Sequence, residues 1–252
     1  MSYSYSALSA AYRCNRYYKY LYVDKLVQPG LPSADMAFGS AVHFAMEELF
    51  EGKDPLQAFH VYWDQGKTKL KYGRFQADRL EVIAEILLPR FQKLHAKKFV
   101  PYQSEIRLYG ELNGIKLEGT PDMLGLYEGV ESVIDFKTAA YRYPPEKVVL
   151  NEQMILYAYL AQTVAHYPVK QVVYKVFTKE RDPTIQTLVQ ELTPELLANT
   201  LANITVQCKN LDHLRETNQW SQNRNSCLMG EVRCAFFDTC WPLSTPSRPG
   251  KK

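Results

Sequence analysis

Asp122, Asp135 and Lys137, near the middle of the chain, are of the types and at the spacing that could set two carboxylates and an ammonium on one strand face. In an extended strand successive side chains alternate faces, so Asp135 and Lys137 project together while Phe136 turns away. Asp122 opens the preceding strand-like run, and pairing of that run with residues 132–138 as a hairpin brings a second carboxylate beside the first. Two carboxylates that close repel unless a cation lies between them, and oxygen donors select hard ions such as Mg2+ or Mn2+. His43, in a helical stretch upstream, would complete a ligand set with Asp122, Asp135 and one backbone carbonyl, that of Phe136. The plainer alternative is a solvated ion pair worth under about 1 kcal/mol and a histidine that only fills space.

Holding these residues takes helices before the strands and after them. Ser6 or Ser9 can cap a first helix, and Pro29-Gly30-Leu31-Pro32 must be loop. A second helix runs from about Met36 through FGSAVHFAMEELFEG to Gly52, a third from Pro55 to about Tyr72, and a fourth from Gln76 to Lys98. After Pro101 the period becomes strand-like: SEIRLYGEL, an Asn113-Gly114 turn of the kind that closes two-residue hairpins, IKLEG, DMLGLY and SVIDFKT. The helical period returns from Pro145, with Val149, Met154, Leu156, Tyr157, Leu160, Ala161 and Val164 on one face. VVYKVFTK and TIQTLVQEL read as two further strands, and Thr193-Pro194 starts a last helix reaching about Glu216. The pattern predicts one domain over 1–244: a helical part (1–100), a catalytic sheet-and-helix core (101–192), and a C-terminal helix with clustered cysteines (193–244). Residues 245–252 read as a disordered tail.

Composition narrows the class. With 46% hydrophobic and 23% charged residues the chain can bury a sizeable core, and its net charge of +3 leaves any grip on nucleic acid to a local basic patch. No eighteen-residue apolar run is present, which excludes a spanning helix and leads us to expect a cytoplasmic protein with no membrane partner. In a reducing compartment its five cysteines are free thiols or metal ligands.

Taken together, His43 in GSAVH, Gly119-Thr120-Pro121-Asp122, Asp135-Phe136-Lys137, and Gln153 and Tyr157 one helical turn apart resemble the RecB-like branch of the PD-(D/E)XK nucleases, over Ser6 to Cys240. The resemblance implies an α/β fold with a restriction-endonuclease-like core, a mixed β-sheet flanked by helices. It implies a DNA nuclease in which His43, Asp122 and Asp135 hold the metal, Lys137 positions and polarises the attacking water, and Gln153 and Tyr157 contact the DNA backbone. Glu105, in Gln-Ser-Glu-Ile, stands where relatives keep a glutamate near the metal; an exposed strand carboxylate is the alternative. The implied reaction is in-line attack of water on a phosphodiester, the cation lowering the pKa of the water and neutralising charge on the phosphoryl oxygens.

Cys14 near the start and Cys227, Cys234 and Cys240 near the end resemble the layout of iron–sulfur RecB-like exonucleases, including AddB-type helicase–nucleases, CRISPR-associated exonucleases and phage relatives. Four thiolates can hold a 4Fe–4S cluster joining the N- and C-terminal segments, with zinc as the competing occupant. Six residues separate Cys227 from Cys234 where many relatives have two, so residues 228–233 must bulge. Cys208 continues an apolar stripe of the last helix and reads as a core thiol. Arg13, Arg16 and Lys19 are candidate contacts to single-stranded DNA ends, and Lys67, Lys69, Lys71 and Arg74 form a second basic stretch. Unwinding would fall to a helicase, recombinase or CRISPR partner, and a homo-oligomer would suit a processive exonuclease. A non-catalytic DNA-binding scaffold is the rival reading.

Overall fold

A computed structural model describes residues 2–229 and 232–241, so the expected tail over 245–252 lies outside the described residues. Strand β1 (Ser2–Ser4) leads into α1 (Tyr5–Arg13), α2 (Asn15–Tyr18) and a π-helical turn over Lys19–Val23. Three helices follow, α3 (Ala34–Phe50), α4 (Pro55–Trp63) and α5 (Ala77–Leu94), then β2 (Phe99–Ser104), β3 (Leu108–Leu112), β4 (Ile115–Gly119), β5 (Met123–Tyr127) and β6 (Val130–Ala139). Helix α6 (Glu152–Thr163) precedes β7 (Gln171–Thr178), β8 (Ile185–Glu191) and α7 (Pro194–Thr217). A small hairpin, β9 (Leu228–Met229) and β10 (Val232–Arg233), and α8 (Phe237–Cys240) complete the described chain. None of the described helices is long and apolar enough to cross a membrane.

By its internal contacts the chain divides into two units, Met1–Tyr5 with Leu31–Cys208, and Ser6–Gly30 with Lys209–Lys252. The first unit is α/β, as expected, with helices flanking a mixed five-stranded sheet of order β2-β5-β6-β7-β8. Its central pair, β6 and β7, is parallel and the other pairs are antiparallel. A helix must intervene between parallel neighbours, and α6 occupies that connection. A smaller sheet, β1-β4-β3, stands against α6, close enough that the backbone of Gly110 lies under Leu160. The turn Asn113-Gly114 between β3 and β4 has φ of 51° and 82°, and Glu128-Gly129 between β5 and β6 has 50° and 83°. Both hairpins therefore use turns that put two successive residues at positive φ, which suits the twist of the flanking strands.

On one face of the five-stranded sheet, Phe136 and Phe177 meet Phe38, Phe59, Trp63, Phe91 and Phe99 from α3, α4, α5 and β2. At about 1.5–3 kcal/mol per fully buried ring, this layer fixes the sheet against the helices. The other face of β6 and β7 carries Asp135, Lys137 and Tyr174. In the second unit, Tyr18 lies between Tyr22 and Trp220 at 5.3 and 6.0 Å, and Phe236 packs on Tyr17 and Tyr20.

Several expectations need correction. The third helix stops at Trp63 rather than near Tyr72, because the chain turns at Gln65-Gly66. Phe99–Gln103, which lie between the expected helix and the expected strand-like run from Ser104, join Ser104 in an edge strand: proline removes one donor there, and the ladder skips a residue between Pro101 and Gln103. Glu105 lies just past that strand and not on it. The region from Pro145 becomes α-helical only at Glu152, which leaves Val149 40% exposed and Val164 38% exposed and not in the core. β1 went unread, since three residues are too few to show alternation.

Candidate active site

Asp122 sits at the mouth of the β5–β6 hairpin, where Met123 pairs with Ile134, so Asp122 comes level with Asp135 as the hairpin reading expected. One Asp122 oxygen accepts the Phe136 N–H at 2.6 Å and the other faces His43 Nδ1 at 3.2 Å. Asp135 is buried, at 1% exposure, and Lys137 Nζ straddles its carboxylate at 2.9 and 2.7 Å. Helix α3 can bring His43 here because Gly39, one turn earlier, passes the end of β6 so closely that a Cβ would stand 3.3 Å from Thr138 Oγ1.

Glu105 joins from the other side. His43, Glu105 and Asp122 present ligand atoms that all fall within 4.8 Å of one another. The backbone of Glu105 is at φ 50°, a left-handed conformation that costs a non-glycine residue on the order of 1 kcal/mol, and its N–H is tied to the Asp122 carbonyl at 3.1 Å. That conformation turns the carboxylate toward the cluster although the residue as a whole is exposed.

Electrostatics match the crowding. Glu105 is pushed up to about 7 by burial of its carboxyl and by the charges of Asp122 and Glu47. Asp135 is raised by burial and then by Asp122, against the pull of Lys137. Burial would lower His43, but its hydrogen bond to Asp122 and the charges of Asp122 and Asp135 outweigh this and raise it. Lys137 is likewise opposed by burial and raised on balance by Asp135 and Asp122. Carboxylates crowded enough to resist ionisation, with an imidazole among them, are the donors a divalent cation would relieve. Asp135 Oδ2 supports that fit: it is buried and, despite the nearby ammonium, has no properly oriented hydrogen-bond donor.

Asn151 caps α6 by accepting from the Gln153 N–H at 2.8 Å, and Gln153 Nε2 donates to the Tyr157 hydroxyl at 2.9 Å. The motif glycine Gly119 explains how Tyr157 fits: a Cβ there would stand 2.6 Å from the Tyr157 ring. The structure therefore gathers His43, Glu105, Asp122, Asp135, Lys137, Gln153 and Tyr157 in the first unit. It also brings in residues that motif reading missed, Tyr5, Tyr143 and Tyr174, whose hydroxyls are all raised first by burial and feel the charges of Lys137 or Asp135.

All four cysteines of the expected cluster line one cavity of the second unit, together with Arg13, Arg16, Tyr17, Tyr20 and Phe236. Within the insert between Cys227 and Cys234, Leu228–Met229 pairs antiparallel with Val232–Arg233, and the Cys234 N–H donates to the Cys227 carbonyl at 2.9 Å, which keeps the two cysteines together. Asn223 N–H points at Cys14 Sγ (3.3 Å) and Gln222 Nε2 at Cys240 Sγ (3.1 Å). Cys208 is buried in the first unit. Arg13 stacks on Tyr17 at 4.4 Å and Lys19 pairs with Asp24 at 2.8 Å, so two of the three expected DNA contacts already have partners.

Residues 2–240 match the family model described as the PD-(D/E)XK nuclease superfamily. Among solved structures, a protein from Eubacterium rectale described as a “Putative exonuclease” superposes with a TM-score of 0.60 at 15% identity, over 99% of this chain and 91% of that one. A second, called SSO0001, is 12% identical over 86% of this chain and 90% of that one, with a TM-score of 0.32. No curated protein sequence matches the chain.

Proposed function

From a chain that belongs to the PD-(D/E)XK nuclease superfamily, we propose a divalent-metal-dependent deoxyribonuclease that digests DNA from single-stranded ends. The observation that carries it is the buried Asp135 carboxylate, level with Asp122 and bridged to Lys137, with one oxygen lacking a hydrogen-bond donor. Asp122, Asp135, His43 and the Phe136 carbonyl would hold Mg2+ or Mn2+, with Glu105 at its margin. The cation supplies Lewis-acid stabilisation of charge on the phosphoryl oxygens and lowers the pKa of nearby water.

The chain's own groups do the rest. Lys137, held upright by Asp135, orients the attacking water and offers positive charge to the transition state. Tyr157 and Gln153, locked to each other, present a hydroxyl and an amide to the phosphate backbone. Exonuclease action draws support from the fold shared with the Eubacterium rectale protein and from the single-strand reading of the sequence.

We propose further that the four-cysteine cavity holds a 4Fe–4S cluster with a structural role. Two amide donors already aim at sulfurs, as cluster thiolates require.

One preparation tests both readings: anaerobic purification, visible absorption with iron and zinc analysis, and incubation with end-labelled single-stranded DNA and Mg2+ or Mn2+. Iron in a coloured protein and metal-dependent shortening of the labelled strand are expected. Zinc in a colourless protein would remove the cluster. DNA left intact by a folded, metal-supplied protein would turn the reading to a non-catalytic binder.

A further inference from the structure

Tyr174 belongs to no motif and reaches no solvent, yet it stands beside Asp135, an acid only 1% exposed. β7 runs parallel to β6 with Tyr174 in register with Asp135, so the two side chains leave the sheet on the same face. The ring lies under the ion pair, its centroid 6.0 Å from Lys137 Nζ. The residue is 0% exposed and its hydroxyl has no hydrogen-bond partner among the described residues. Neighbouring Tyr157, on the same face, has its hydroxyl bonded to Gln153. Buried hydroxyls are nearly always bonded, because desolvation without a partner is costly. Asp135 Oδ2, which touches the Lys137 ammonium at 2.7 Å, likewise has no hydrogen bond of proper geometry.

We propose that Tyr174 is a positioning residue of the acidic centre: its hydroxyl supplies the hydrogen bond that fixes the Asp135 carboxylate when a divalent cation engages it. This rests on the metal-dependent reading above. Lys137 lies against both oxygens of Asp135. A carboxylate shared between a cation and an ammonium needs a further donor to hold one orientation, and outer donors of this kind typically change metal affinity about 10–100-fold. Among the residues nearest in register, Tyr174 has a hydroxyl to spare. A phenol keeps its proton at neutral pH, so toward a carboxylate it can only donate.

The test is Tyr174→Phe, which keeps the ring and removes one oxygen, read by Mn2+ titration of the metal-free protein and by its melting temperature. We expect the Mn2+ dissociation constant to rise about 10–100-fold, while the metal-free melting temperature holds or increases because an unpartnered buried hydroxyl has gone. Unchanged Mn2+ affinity, with the melting temperature higher, would show a mere packing remnant. Unchanged affinity with a lower melting temperature would show a structural hydrogen bond through buried water. Either result overturns the proposal. Wild-type protein that neither binds Mn2+ nor cleaves DNA would instead remove the metal-dependent reading itself.

Discussion

Lys137 on β6 and Lys175 on β7 are one register position apart, Lys175 pairing with Phe136, and emerge on opposite faces of one sheet. Lys175 is fully buried over the rings of Phe99 and Tyr127, at 5.2 and 4.6 Å, and donates to the hydroxyls of Tyr127 and Thr187. Burial, and then repulsion from Lys98, push it down to about 8. Lys137 meets the same opposition from burial, but Asp135 and Asp122 hold it above the usual lysine range. Burial thus does not decide the charge of an interior lysine; the carboxylates on its face do. One face of the sheet is a charged site, and the other is a core that tolerates one amine.

The largest effect expected from disturbing this contrast is at Asp135. Asp135→Asn leaves Lys137 without its closest anion and the cation with one carboxylate fewer. On the metal-dependent reading the cation would contribute several kcal/mol to the transition state, and at a tenfold rate change per 1.36 kcal/mol DNA cleavage should fall by at least about 10³-fold. A variant within tenfold of wild type in a labelled-DNA assay would deny Asp135 its role.

Gly119→Ala approaches the charged face from α6. The added Cβ meets the Tyr157 ring at 2.6 Å, and overpacking of this kind costs about 1–3 kcal/mol. Tyr157 must shift, so cleavage should drop on the order of tenfold while Mn2+ affinity stays put. Gly110→Ala is the control, since its Cβ would meet the flexible end of Leu160 at 2.7 Å. It should lower the melting temperature and spare the rate; equal rate losses in both variants would reduce the Tyr157 effect to general destabilisation.

The contrast also marks what sequence could and could not disclose. Period-two alternation was enough to place Asp135 and Lys137 together, and the strand-like runs around Asp122 were enough to bring it alongside. Tyr174 and Lys175 were not legible, because their meaning depends on which residues of β6 they face, and that register is set across a helical crossover. Glu105 was placed on a strand because nothing local foretells a left-handed residue just beyond an edge strand. That strand was itself hidden by Pro101 and by a bulge opposite Gly125, where a Cβ would stand 2.5 Å from the Val100 carbonyl. The cysteine count and spacing suggested a shared site, yet not that Leu228–Met229 and Val232–Arg233 would pair as strands.

On the core face, Lys175→Met should stabilise the protein. Lowering a lysine from 10.5 to about 8 corresponds to roughly 3 kcal/mol, and giving up two hydrogen bonds of about 1 kcal/mol each leaves a gain near 1 kcal/mol at pH 7. Between pH 8 and 10.5 the unfolded chain keeps the Lys175 proton that the folded chain has lost, so wild-type stability rises with pH through that window and the advantage of the variant shrinks. Urea melts at pH 7 and pH 10 measure it, and a destabilised Lys175→Met at pH 7 would mean the amine is better solvated than its surroundings imply.

The smallest effect belongs to Glu105, the exposed third acid of the charged face. Its folded carboxyl titrates near 7 and its unfolded one near 4.5, so between these values the folded chain binds the extra proton. Stability of the metal-free protein should therefore fall as pH rises from 4.5 to 7 and level off above, by less than about 1 kcal/mol once solvent screening of an exposed group is allowed for. Glu105→Gln should flatten that slope. A divalent cation should flatten it in wild type as well, because a cation favours the ionised acid that crowding disfavours, and the same ion should leave the variant almost unaffected in this pH range. Identical pH slopes in the two metal-free proteins would place Glu105 outside the electrostatic reach of Asp122 and reduce the charged face to His43, Asp122, Asp135 and Lys137.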